Sequence, residues 1–484
     1  MTIAKKKHPI SLNHPDYAKL MGKVKRCRDA CGGSDRIKDA GVEYLPALSS
    51  HRSPEGHSKY EAYKQRALWY NASRRTKIGL SGAVTRSAPN IKTDAKHQGL
   101  AKEICRHYRT SVEELLEAGR HAVSVNANGL AKPETRLWWA ENIVNWSYTR
   151  IDGRVVLRFV VLEDTEEVFG DEGVDAVEVT PLVVRHLYML NKQGVCLYAK
   201  YARVDGKEEQ WGEVVPLKPV TAIGGRALDF VPVKIVQALD DDDPEVQDPV
   251  MLDLVDVNIS HYHNSADLEH GRHWTALPTA WASGFPTHDS DGNQIELSVG
   301  GESAWITETQ GASAGYLEFS GAGLSHLADG MKDKQAMMAV LGARLLEEMK
   351  PAVESAETLK TRLAGDSSVL ARICATTSNV LTWALQVNLF FVTVGYAMGS
   401  EENDLISVSD DIFNEKMSDA ELTSLVSALQ SNAVSYQVFF EKLKQGKIIP
   451  ASRTIEEEIA AIDAGRPGNN DPFANSGGGG FGRW

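Results

Sequence analysis

Two long helical periodicities, separated by a turn- and strand-rich insert, constrain this chain more than any other feature. The first runs from Pro249 to His273. Asp248 is placed to cap it, and Pro249 to take the first helical position, where a missing N–H costs nothing. Leu252, Val255, Ile259, Tyr262 and Ala266 then recur at three- and four-residue steps, which builds one apolar seam. The second helix, about Ser325–Lys350, carries Leu324, Leu327, Met331, Met338, Leu341 and Leu345 in the same rhythm. Lys334 interrupts that seam, and Pro351 ends the helix. At about 1.5 Å per residue each is a rod of roughly 35–40 Å. The insert Thr275–Ser320 predicts a turn at Asp291-Gly292-Asn293 and strands near Ile295–Val299, Ala304–Glu308 and Tyr316–Phe319. Two rods with a β-rich cap between them read as a stalk.

The charge balance is uneven. The formal net charge is −13, yet residues 1–110 hold 23 Lys and Arg against 9 Asp and Glu. A basic N-terminal region suits an acidic partner, nucleic acid or a subunit-facing surface. The acidic remainder argues against tight electrostatic grip on DNA, which needs Lys and Arg facing the phosphates. It suits a surface over which DNA slides. The five cysteines are scattered and odd in number, which predicts no disulfide framework. Lys5, Lys6 and Lys7 precede no apolar run, so no signal peptide is expected. The stretch from Pro467 onward is Gly/Asn-rich and predicts a disordered tail.

The remaining elements predict an antiparallel α+β body rather than a βαβ one. Residues 14–30, 58–80 and Leu100–Gly119 read as helices, the second with a stripe of Tyr60, Tyr63, Ala67, Tyr70 and Arg74. His121–Val125 alternates like a strand. Ile143–Arg150 and Val155–Leu162 are joined at Asp152-Gly153, Val183–Leu190 and Val195–Val204 at Asn191–Gly194, and Trp211–Val215 and Phe230–Ala238 follow. Capping boxes at Ser418–Glu421 and Thr454–Glu457 announce two closing helices.

Val380–Gly399 lies in a charge-free run long enough to span a bilayer. A membrane-associated protein anchored there is one alternative function. Thr382, Gln386, Asn388 and Thr393 interrupt the run, however, and polar amides are expensive in lipid. A buried helix is the expectation, with no membrane partner.

No catalytic constellation emerges. Gly311–Gly315 fits the G-x-S-x-G pattern, which would make Ser313 a hydrolase nucleophile, the other alternative. That chemistry needs a strand before the serine and a helix after it, whereas a strand-like Tyr316–Ser320 follows. His261, His263, His270 and His273 cluster on the first rod without a completing Cys or acidic set, and are expected to be surface or subunit-boundary residues. The Asp240–Asp243 run reads as a solvated loop before Pro244. No dinucleotide fingerprint or P-loop occurs. The expectation is no enzyme, no cofactor and no metal.

Glu43–Leu48, Tyr60–Ala72 and Gly79–Val84 resemble the start of a tailed-bacteriophage portal protein, closest to a branch of that family known as a phage-associated domain of unknown function. Glu141–Trp146 with Val160–Glu163 resembles the wing-domain hairpin of portals, and Tyr316–Phe319 leading into Leu341–Leu346 is similar to their clip-to-stem passage. The resemblance spans roughly residues 40–465 and departs at the C-terminus, where no long crown extension follows Gly465. It implies a wing over 1–247, stem helices over 248–274 and 323–350 around a clip at 275–322, a channel loop and long wing helix over 351–400, and short crown-like helices over 401–466. The implied protein forms a homo-oligomeric ring, commonly of twelve subunits, at the head vertex of a virion assembled in the host cytoplasm. Double-stranded DNA passes its channel, and terminase, a head-completion adaptor and capsid or scaffold protein dock on it. Lys350, Lys360 and Arg362 are then candidates for channel-facing phosphate contact. Leu252, Val255, Ile259, Tyr262, Leu327, Met331, Leu341 and Leu345 are candidates for stem packing against neighbouring rods.

Overall fold

The computed structural model of the chain describes residues 9–126, 133–151, 153–169, 179–204, 210–239, 245–276, 279–288, 294–295, 305–317, 321–345, 369–398, 405–408, 425, 434–445 and 454–455. The chain divides into two units, Met1–Asp410 and Asp411–Trp484.

The first unit begins with helices α1 (Tyr17–Gly32) and α2 (Ser34–Asp39). Leu20, Val24, Cys27 and Cys31 lie on one buried stripe of α1, and Gly33, at a φ of 102°, ends it where a side chain would be strained. The helix expected over 58–80 is two: α3 (His57–Arg66) and α4 (Ala72–Val84). Between them Ala67 turns extended, with ψ at 135°, and buries with Trp69. Tyr60, Tyr63 and Ala67 keep their place in the core, but Tyr70 and Arg74 are exposed. The helix expected over Leu100–Gly119 is likewise divided, into α5 (Gln98–Ile104) and α6 (Tyr108–Glu117), by a 3₁₀ turn. The Arg28 guanidinium of α1 pairs with Glu114 and Glu117 of α6 and with Glu141.

The strands are antiparallel throughout. β1 (Asn90–Ile91) pairs far along the chain with β12 (Ile406–Ser407). β2 (Arg120–Asn126) is the centre of a three-stranded sheet between β3 (Glu134–Trp138) and β9 (Val233–Gln237). A five-stranded meander runs through β4 (Ile143–Ile151), β5 (Arg154–Phe169), β6 (Val179–Leu190), β7 (Cys196–Arg203) and β8 (Trp211–Pro219). Gly153 and Gly194, at φ of 80° and 76°, supply the left-handed residues that its two tight turns need. Ile143 faces Leu162, and Trp146 faces Val160, all four buried, so the register sets one apolar face. The chain is α+β, as its alternation predicts.

α7 (Leu252–Ala276) and α8 (Leu324–Arg344) bracket the two-stranded β10 (Thr279–Ser283) and β11 (Ser313–Leu317). α9 (Val369–Val392) is buried along nearly its whole length. Its polar residues are hooks. Thr382 Oγ1 both donates to and accepts from the backbone of Ile406, at 3.1 and 3.0 Å, and Asn388 Nδ2 donates to Thr135 Oγ1 at 2.7 Å. Those bonds satisfy part of what would be costly in lipid, while Asn388 Oδ1 and Thr377 Oγ1 are buried without a hydrogen bond among the described residues. Among the described residues no helix is long and apolar enough to cross a membrane.

In the second unit, α10 (Tyr436–Gln445) buries Phe440 and Leu443 on one face. The Ser418–Glu421 capping box and the tail lie outside the described residues, as does most of the stretch expected to hold crown-like helices.

Candidate functional site: the helix pair and the insert it carries

α7 begins at Leu252, after a turn closed by Leu252 N–H donating to Pro249 C=O at 3.0 Å. Asp248 is therefore not its cap. Its carboxylate instead accepts from Lys23 Nζ of α1, at 2.6 Å to Oδ2. Pro249 lies against Gly119, where an added Cβ would come within 3.0 Å of the proline Cα. The start of the helix is thus locked to the body rather than capped in solvent. With 25 residues, α7 is a rod of about 37 Å.

The apolar seam of α7 is covered within the same chain. Val255, Tyr262 and Ala266 are fully buried with Cys27, Ile37, Leu45, Tyr60, Tyr63 and Trp69, and Leu252 and Ile259 pack on that cluster. The neighbouring rod expected against Leu252, Val255, Ile259 and Tyr262 is replaced by α1–α3, because the N-terminal helices supply enough apolar surface to cover the seam.

A second buried stripe, Leu254, Asn258, His261, Ser265 and Leu268, is invisible to apolar periodicity because its polar members break the rhythm. Asn258 and Ser265 sit two turns apart and hold the α3–α4 break. Ser265 Oγ accepts from Leu68 N–H at 2.9 Å, and Asn258 Nδ2 donates to Tyr70 C=O at 2.8 Å. Their signal in the sequence is a seven-residue spacing of small polar side chains on a long helix.

α8 runs antiparallel to α7: Leu324 lies against Gly271, Gly330 against Asn264, Lys334 against Ser260 and Gly342 against Leu254. Met338 and Leu345 are buried, while Leu327, Met331 and Leu341 are half-buried. Lys334 donates from Nζ to Ser260 C=O at 3.0 Å, and burial lowers its pKa. One position on, Gln335 Nε2 donates to His261 Nε2 at 3.1 Å. Burial, then the Lys334 charge, lowers the pKa of His261 and keeps that nitrogen free to accept. The helix ends at Arg344 rather than Lys350, and Lys350, Lys360 and Arg362 lie outside the described residues.

The histidines of α7 do not converge. His261 faces α8, His263 Nε2 donates to Tyr44 C=O at 2.7 Å, His270 accepts from Trp274 Nε1 at 3.0 Å, and His273 Nε2 accepts from Arg66 Nη2 at 3.1 Å. Among the described residues one trio, Asp164, Glu166 and His186, has metal-like spacing, with ligand atoms within 4.8 Å of one another. Arg136 and Lys200 already neutralise the two carboxylates, which leaves little charge for a cation.

The insert differs from its expected strands. Thr279–Ser283 forms β10 where no strand is expected, and residues 305–308 are described without strand structure. Residues 296–304 lie outside the described residues. Tyr316 falls in a strand as expected, but this strand, β11, begins at Ser313. Ser313 pairs with Ser283 at the end of the ribbon and is followed directly by strand rather than by helix, so the strand–serine–helix turn of a nucleophile elbow is not formed there. Phe285 and Trp305 meet edge to face, their centroids 6.4 Å apart, beside the ribbon.

The helix pair and insert fall within a family match that continues through α9. A protein-family model described as a domain of unknown function (DUF4055) matches residues 250–392. No curated protein matches the chain. Among solved structures the chain is similar to one from the neck of a native GTA particle computed with C12 symmetry, at 11% identity and a TM-score of 0.34, covering 77% of this chain and 89% of that one. It is similar to a chain in the virion of a native gene transfer agent particle, at 11% identity and a TM-score of 0.32 over 82% and 94%. A third, from the neck of an empty GTA particle computed with C6 symmetry, gives 12% identity and a TM-score of 0.34 over 93% and 97%.

Proposed function

We propose that the chain is the subunit of a phage portal, a non-enzymatic ring at the head vertex through which double-stranded DNA is packaged and ejected. One observation carries the reading: two long antiparallel helices, tied at four levels, lie with α7 against the N-terminal helices and bracket a small β ribbon. That order supports the stem–clip–stem reading which the resemblance to portals implies, with Glu141–Trp146 and Tyr60–Ala72 read as parts of a wing. The ribbon then serves as the docking point for terminase and, later, a head-completion adaptor. The basic N-terminal region serves subunit or capsid contacts. Because the α7 seam is covered within its own chain, ring closure falls to other surfaces, among them the outward face of α8, where Met337 and Val340 are exposed.

Negative-stain electron microscopy of the purified protein tests this. Rings with a central hole and about twelve-fold symmetry are expected from the portal resemblance. A uniform monomer population across the micromolar range refutes the reading.

A further inference from the structure

The meander sends out an arm. β4 pairs with β5 only as far as Leu162, and β7 pairs with β6 only from Val184. Beyond those points Thr165–Phe169 and 179–183 pair with each other alone. A two-stranded ribbon is marginal in water by itself, and this one still presents Val168, Phe169 and Val179 at 47%, 59% and 45% exposure. Pro181 removes an N–H from one strand, which discourages pairing along that side.

The arm is also acidic. Its described residues, 163–169 and 179–183, hold no Lys, Arg or His and four Asp or Glu. At the base, Glu163 pairs with Arg185, Asp164 with Arg136 and Glu166 with Lys200. Glu167, beside the exposed Val168, has no ion pair among the described residues and is exposed.

A surface of opposite character lies on α4. Arg75, Ile78, Gly79, Gly82 and, just beyond the helix, Arg86 follow the helical repeat along one outward stripe. Ile78 is 58% exposed, and nothing lies within 4 Å of where a Cβ would stand on Gly79 or Gly82. Arg75 and Arg86 are without ion pairs among the described residues. The stripe is apolar and bare at its centre and cationic at both ends.

We infer that the acidic arm of one copy lies along the α4 stripe of the next, with Val168 and Phe169 on Ile78 and the bare glycines, and Glu167 answering an arginine. The occupant is a second copy of this chain because every copy carries both halves, matched in charge and in uncovered apolar centre. Such a head-to-tail contact between unlike surfaces is the kind that closes rings. The inference rests on the ring reading and assigns it a contact.

Cysteine pairing tests it in the full chain. Four native cysteines are buried and Cys105 is half-buried, so background cross-linking is low. Phe169→Cys with Gly82→Cys is expected to give an oxidised ladder of subunits reaching the ring, and neither single substitution should do so. Glu167→Lys or Arg75→Glu should weaken assembly about tenfold near physiological salt, and the two together should recover most of it. Intact rings with no ladder, and no response to either reversal, overturn the contact while leaving the ring standing. The contact also falls if Glu167→Lys rings form normally and merely aggregate, since the acids then only guard the strand edge. It falls equally if Phe169→Cys cross-links to a different virion protein. Wild-type monomers at every concentration overturn both readings.

Discussion

Asn258 and Ser73 meet across 185 residues of sequence, where the Asn258 Oδ1 accepts from both the backbone N–H and the hydroxyl of Ser73, at 3.2 and 3.0 Å. The same amide donates to Tyr70 C=O. One side chain of α7 thus sets where α3 ends and α4 begins. Both residues are fully buried, so a broken tie cannot be repaired by water. Asn258→Ala should cost about 1–3 kcal/mol, because it strands the buried Ser73 N–H and takes from the Tyr70 carbonyl one of its two donors, the other being Ala72 N–H. Ser73→Ala removes only the hydroxyl bond and should cost about 1 kcal/mol. Urea midpoints check the order, and the reverse ranking would show that Asn258 does not carry the junction.

Arg28 is the hub of a second junction. Its guanidinium faces the carboxylates of Glu114, Glu117 and Glu141, and the first two are nearly inaccessible to solvent. Lys77 supplies one further charge, at 2.6 Å from Glu117. Removing one partner of a buried ion pair leaves an uncompensated charge, so Arg28→Met should lose about 3–5 kcal/mol. Adding Glu114→Gln should return a substantial part of that loss. A double variant no better than the single would mean that Arg28 acts through packing, for instance its place 5.8 Å from the Trp139 ring.

Lys334 yields a sharper distinction. An isolated lysine in an apolar seam can face a channel or a carboxylate on a neighbouring subunit. In the structure its ammonium bonds the Ser260 carbonyl across the helix pair. Lys334→Met should therefore keep the fold, since losing the hydrogen bond is largely offset by removing a half-buried charge. A shift of the thermal midpoint by only a few degrees, about 1 kcal/mol, is expected. Lys334→Asp sets an anion against a carbonyl and should melt well below the methionine variant. If Lys334→Met dissolves the assembly while the subunit melts normally, the lysine belongs to an intersubunit contact instead.

Much of this architecture is legible in the sequence because strand alternation and turn glycines are local signals. The β4–β7 register follows from Asp152-Gly153 and Asn191–Gly194 flanked by period-two residues. The helix pair is legible for the same reason, its apolar rhythm being local and broken only at Lys334, although the second helix ends at Arg344, short of Pro351. What the seam packs against is not legible, since apolar spacing states that a face is buried but not by what. Val255 and Tyr262 face the N-terminal helices, so Ile259→Asp with Leu341→Asp, which would open a ring if both seams met neighbouring rods, would also strike the core of the subunit itself. The break after Arg66 is hidden too, because it is imposed by Asn258 and Ser265 from far along the chain. The stripe of Tyr60, Tyr63, Ala67, Tyr70 and Arg74 reads as continuous helix until those partners are in place.

Acid should weaken the first unit through its histidines. Burial holds His186 down to about 4 and His121 to about 3, and it is also the leading cause of the lowered pKa values of His14, His261 and His270. A histidine whose folded pKa lies below its unfolded value near 6.5 binds its proton more readily in the unfolded chain. Its contribution is fully present above pH 6.5 and is lost as pH falls from there towards the folded pKa. For His186 the whole shift is worth about 3 kcal/mol. Its Nδ1 faces the Tyr198 hydroxyl at 3.0 Å, and its Nε2 is inaccessible and without a hydrogen bond, so a charge gained by the ring is desolvated, a cost that the nearby Glu166 and Asp164 offset only in part. His186→Gln cannot take up that proton. Its urea midpoint should fall less than that of the wild type between pH 7 and pH 4.5. Parallel declines for the two proteins would show that a carboxylate with a lowered pKa such as Glu141, rather than the buried imidazole, sets the acid limit.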